Sequence, residues 1–125
     1  MTYRGWTLLW ISIMHLGMAW WVLNPASVDP DKAILFELLP LPHRSAAWAA
    51  GGLIGLLGVA APRLSVISWT AVIIMPVERA IGHLWSWLAH LIPGEPPGDM
   101  YGGGVTLFWA GLAALILINA RREDA

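Results

Sequence analysis

The chain holds 125 residues, 58% of them hydrophobic and 12% charged, with a net charge of −1 and a mean hydropathy of +0.64. A soluble domain carries about 25% charged residues; half that share excludes an ordinary water-solvated surface, and the near-zero balance excludes a basic face for nucleic acid. With no cysteine, disulfides and thiolate metal sites are excluded too, while the compartment stays open on that count.

A spanning helix needs about 20 mostly apolar residues. The first predicted span, 5–23, stops at Asn24-Pro25. It exceeds the apolar core of a signal peptide and no small-x-small cleavage site follows it directly, so it reads as a retained anchor. One face carries Gly5, Ser12, His15 and Ala19, with His15 near mid-membrane. The next stretch holds Asp29-Pro30-Asp31, an acidic cap with proline at the first helical position, then an apolar run to Leu39 closed by Pro40-Leu41-Pro42. A short helix over 31–39, lying in the outer interface, is expected there.

The second span, 45–61, is stopped by Pro62-Arg63 and carries Ala47, Gly51, Gly55 and Gly58 as a small-residue ridge that admits a neighbouring backbone. The third, 64–92, would reach about 43 Å at 1.5 Å per residue, against a hydrocarbon core of about 30 Å. It must tilt, emerge or break, and Pro76, which removes a backbone hydrogen bond, marks the expected kink. The fourth, 103–120, ends at Arg121-Arg122-Glu123-Asp124. Gly111 and Ala114 are expected to pack it as the glycines pack the second span. Between the last two spans, 93–102 is proline-rich and offers no N–H cradle for phosphate.

Charge orients these spans. Arg4, Arg63, Arg121 and Arg122 fall at one set of ends, whereas Lys32 and Arg44 fall opposite among Asp29, Asp31 and Glu37. The positive-inside rule then puts both termini in the cytoplasm. Nine tryptophans fit a membrane–water interface. Trp6 and Trp69 are expected near the inner interface, Trp20, Trp21, Trp48, Trp85 and Trp87 toward the outer one, and Trp10 and Trp109 a turn deeper. The fold class is therefore all-α: one domain over 1–125, a polytopic four-helix transmembrane bundle with the interfacial helix in its first outer loop. The lipid bilayer is its first partner.

Charged residues at membrane depth are costly and mark where function concentrates. Glu78 and Arg79 follow Pro76 inside the third span. Arg79, His83, Ser86 and His90 lie within about 60° on one side of that helix, and Ser65 and Ser68 join them if it runs through Pro76. Val77, Ile81, Leu84, Trp85 and Leu88 take the opposite, lipid-facing side. With Ser12 and His15 from the first span, this polar stripe lines a bundle interior, a water-filled pore or an oligomer contact. As neighbours, Glu78 and Arg79 point about 100° apart, so a structural ion pair at the kink weighs as much as a transport or gating role. His83 and His90 are two turns apart, too far to chelate one metal together. No G-x-S-x-G or H-E-x-x-H motif occurs. No catalytic residue, metal or cofactor is expected.

At Met75-Pro76-x-x-Arg79-Ala80, Trp85-Ser86-Trp87-Leu88 and Ile92-Pro93-Gly94 the chain resembles small four-span membrane proteins encoded by actinobacteriophages, some of them proposed holins. The resemblance covers the second half best and carries over no catalytic residue. It implies a phage or prophage origin and a holin-like or lysis-accessory role in the bacterial cytoplasmic membrane, with copies associating as homo-oligomers through the second helix. The mixed Arg-Arg-Glu-Asp tail departs from the strongly basic tail common in holins. Two other classes fit the residues: a non-catalytic subunit of a larger membrane complex, docking through 31–39 and the last loop, and a small transporter or proton conductor using His15, His83 and His90.

Overall fold

The structure, a computed structural model, describes residues 2–23, 41–92 and 102–121, with the backbone alone at Leu41, Ser86, Ala89 and His90. The expected interfacial helix at 31–39 and the loop 93–101 lie outside the described residues. Four helices make up the described chain, and no strand is present among those residues: α1 (Tyr3–Trp21), α2 (Leu41–Ala60), α3 (Ser65–His90) and α4 (Gly102–Ala120).

Local chemistry sets the ends. Thr2, in extended backbone, caps α1 by accepting the Gly5 N–H on its hydroxyl at 3.1 Å. Helix α2 begins four residues before the expected 45, because Pro42 sits in its first turn, where no N–H is needed. Between α2 and α3 the chain reverses within a few residues: Ala61 is extended, and Pro62 starts a single 3-10 turn, Pro62–Leu64. Helix α3 runs unbroken through Pro76, whose side chain is fully buried. Pro76 supplies no N–H, so the Val72 carbonyl one turn back lacks its helical donor.

The helices pack in sequence order, α1 on α2, α2 on α3 and α3 on α4, with thinner contact between α1 and both α3 and α4. This up-down-up-down course gathers Arg4, Arg63 and Arg121 at one end of the bundle. Two apolar clusters stack along it. Leu8, Ile11, Trp69, Val72 and Ile116 form the one nearer that end; Ala19, Trp48, Met75 and Trp109 form the other. Trp48, Trp69 and Trp109 are therefore core residues, a correction to the expected interfacial place of Trp48 and Trp69. Their rings fill the space between helices, whereas Trp6, Trp10, Trp20, Trp21 and Trp85 are exposed.

Apolar side chains face outward as well as into the core, and several polar ones are buried among the helices. Every helix exposes large apolar side chains, among them Trp10 and Ile13, Leu53 and Leu57, Ile74 and Ile81, and Leu107 and Ile118. Buried instead are Ser12, His15, Ser68, Glu78, His83 and Asn119. Among the described residues one stretch, Pro62–Trp85, is long and apolar enough by length and composition to cross a membrane, and Gly104–Ala120 is a shorter apolar helix.

Candidate functional site

The seam between α1 and α2 is made by glycine. A Cβ on Gly51 would meet His15 Cδ2 at 2.9 Å, and one on Gly52 would meet Leu16 Cδ2 and the Ser12 carbonyl oxygen at 2.9 Å. At Gly55 the same atom would collide with Ser12 Oγ, and at Gly58 with Ser68 Oγ and Cβ. The ridge read from the sequence is thus occupied within the chain, and Gly52, which that reading passed over, belongs to it. Ala47 is half-buried against the outer cluster. Gly111 and Ala114 do not follow the pattern: both are exposed, and a Cβ on Gly111 would meet nothing within 4 Å. Helix α4 instead buries Trp109, Ile116 and Asn119.

Within the seam, Ser12 donates to the Leu8 carbonyl at 2.7 Å, and His15 Nδ1 donates to the Ile11 carbonyl at 2.9 Å. A carbonyl can only accept, so that nitrogen carries the proton. His15 Nε2 is buried, faces the Val72 backbone and reaches hydrogen-bond geometry with no partner. Further ties run between helices, Ser45 Oγ to the Ala19 carbonyl at 2.7 Å and Ser68 Oγ to the Ile54 carbonyl at 2.6 Å. These hydroxyl protons go to backbone carbonyls, not to a histidine, so neither serine is poised as a nucleophile.

An aromatic relay joins this seam to α3's charged turn. The His15 ring lies edge-on to Trp48, centroids 5.0 Å apart; Trp48 and Trp109 are 5.8 Å apart; and the Arg79 guanidinium stands 6.0 Å from the Trp109 centroid. One residue from each helix thus contributes to a single layer. At 1.5 Å per residue it lies roughly 17–21 Å from the arginine-bearing end. Arg79 is half-buried and within electrostatic reach of Glu78 and Arg44.

Of the arc read from the helical period, His83 is buried and Arg79 half-buried, while Glu78, about 100° from Arg79, is buried as well. Ser68, Glu78 and His83 are buried, whereas Val77, Ile81, Leu84, Trp85 and Leu88 are exposed. Ser86 and His90 lie on α3, but their side chains are outside the described residues. The stripe is not one continuous site, however. Ser12 and His15 face the α2 glycines, while Arg79 faces α4, and Trp48 and Trp109 bridge the two. That bridge escaped the sequence reading, yet the signal was present: Trp48 lies one turn before Gly51 on the same ridge and was assigned to the interface on residue type alone.

Compared with known proteins, the chain matches no protein family, no curated protein and no solved structure. The likeness to actinobacteriophage membrane proteins rests on the residues quoted for it alone.

Proposed function

We propose that the chain is a four-span protein of the bacterial cytoplasmic membrane, both termini inside, acting as a non-catalytic module of a larger membrane assembly. The observation that carries this is the exterior of the bundle: large apolar side chains are exposed on all four helices, while His15, Glu78 and His83 are buried at mid-helix positions. Helix lengths agree. Nineteen, 20, 26 and 19 residues give about 28 to 39 Å, enough to match a core of about 30 Å with tilt in α3. In water the same exterior would be a large aggregation-prone surface.

The sealed interior favours association over conduction. Glycines that could have gathered copies of α2 are used inside the chain by Ser12, His15, Leu16 and Ser68, and the layer at membrane depth is packed with tryptophan. Purification in mild detergent tests this: a stoichiometric hetero-complex supports it, and a homo-oligomer alone contradicts it.

The holin-like role remains the second reading, favoured by the open small-residue face of α4 at Gly111 and Ala114 together with the phage resemblance. Under it, copies meet through α4 and the bundle opens on triggering. Induced expression followed by dye entry decides: permeabilised cells support this reading, and intact, growing cells remove it.

A further inference from the structure

At the arginine-bearing end, Arg4 reaches across from α1 to α4. Its Nη2 donates to the Ala120 carbonyl at 3.0 Å, and its guanidinium lies 5.6 Å from the Trp69 ring centroid. Beside it a half-open cavity of about 200 Å³ runs between α3 and α4, lined by Val66, Trp69, Ile73, Ile116 and Leu117 with Arg4 at its edge. An apolar cavity of about 150 Å³ holds a benzene molecule, so this one accepts a length of hydrocarbon chain.

Two N–H donors are buried here without a partner, Arg4 Nε and Trp69 Nε1, and Trp69 as a whole is only 3% exposed. A buried donor left unpaired costs about 1–3 kcal/mol, and a group bringing an acceptor removes that cost. The charge favours an anion: Arg63 and Arg121 share this end, and among the described residues no acidic side chain lines the cavity. Arginine forks match the oxygen pairs of phosphate. A polar head beside an apolar slot, at the level where a cytoplasmic leaflet presents its headgroups, is the geometry of an amphiphile site.

We propose that Arg4, Trp69 and the α3–α4 cavity bind an anionic phospholipid, its phosphate on the Arg4 guanidinium and part of one acyl chain along Ile73 and Ile116. The inference rests on the membrane reading but can fail independently of it, since a protein recovered from membranes need not select its lipid.

Native mass spectrometry of the full chain tests it, after detergent exchange in an equimolar mixture of dioleoyl phosphatidylglycerol and dioleoyl phosphatidylcholine. The wild-type protein is expected to retain phosphatidylglycerol about fivefold over phosphatidylcholine, the factor that corresponds to roughly 1 kcal/mol per surface arginine. Arg4→Gln should bring the ratio near one and Arg4→Lys should keep most of it. Ile73→Trp, which fills the cavity, should lower retention of both lipids. Trp69→Phe keeps an aromatic ring at the position while removing the N–H, so it carries the test should Arg4→Gln unfold; it should reduce the preference. Equal retention of the two lipids by wild type, or an undiminished preference in both Arg4→Gln and Trp69→Phe, overturns the proposal. Displacement of the lipid by inorganic phosphate also overturns it, since that outcome assigns a free-anion site with no part for the acyl chain.

Discussion

Replacing Gly55 with alanine sets two effects against each other at one position. Alanine is favoured over glycine in a helix interior by about 1 kcal/mol, which alone would stabilise α2. The added methyl, however, would collide with Ser12 Oγ and lie 3.0 Å from Val72 Cγ1 and 3.1 Å from Ser12 Cβ. Neither neighbour can retreat easily: Ser12 is fully buried and held to the Leu8 carbonyl at 2.7 Å, and Val72 is 0% exposed. Overpacking costs about 1–3 kcal/mol, and contact on two helices at once argues for the upper half of that range. The net loss is about 1–2 kcal/mol, a fall of roughly 4–8 °C in the midpoint of thermal unfolding for a chain of this size. Circular dichroism in one fixed detergent measures it. Gly111→Ala is the control: with nothing within 4 Å of the new methyl, it keeps the helical gain and should unfold a few degrees above wild type. Adding Ser12→Ala to Gly55→Ala removes the first colliding atom and should recover part of the loss. A Gly55→Ala protein that unfolds at or above the wild-type midpoint would refute the close α1–α2 seam.

Trp48→Ala should cost about 3–5 kcal/mol, as for large-to-small changes in a core, because the ring is 2% exposed between His15 and Trp109; Trp20→Ala, at an 81% exposed position, should be near neutral in the same denaturant titration. Arg79→Met removes one of the charges acting on the buried Glu78 and should lower the unfolding midpoint; Arg63→Met, at an exposed turn, should change it little. Losing the Arg4 contact with the Ala120 carbonyl should speed hydrogen exchange in the last turn of α4 more than in the first turn of α2, measurable by mass spectrometry on Arg4→Gln.

Hydrophobic period and proline punctuation carry the helices: all four are legible to within a few residues, the largest displacement being at the start of α2, where Pro42 lies in the first turn. The buried face of α3 was legible too, because polar residues recurring every three to four positions in an apolar segment have only the interior to occupy. The same reasoning placed Ser12, His15 and Ala19, each of them buried. Partnership was not legible. Nothing in the spacing says that Gly51 lies against His15, or that Trp109 stands between Trp48 and Arg79, since those pairings depend on which helices are neighbours and at what register. Tryptophan misled for a related reason: its amphipathic ring suits an interface and a core equally, and only the ridge phase of Trp48 distinguished them. Gly111 and Ala114 misled in the opposite sense, because small residues permit close packing without requiring it.

The proposed four-span course puts both termini and the α2–α3 turn on one side of the membrane and the other two connections opposite. The chain has no cysteine, so single cysteines can be introduced and labelled with a membrane-impermeant maleimide in intact bacterial cells. Ser27→Cys and Glu95→Cys should label before the cells are opened; Ala61→Cys and Ala125→Cys should label only after permeabilisation. Labelling of all four positions to the same extent in intact cells, or of none until the cells are opened, would contradict a four-span bundle with both termini inside.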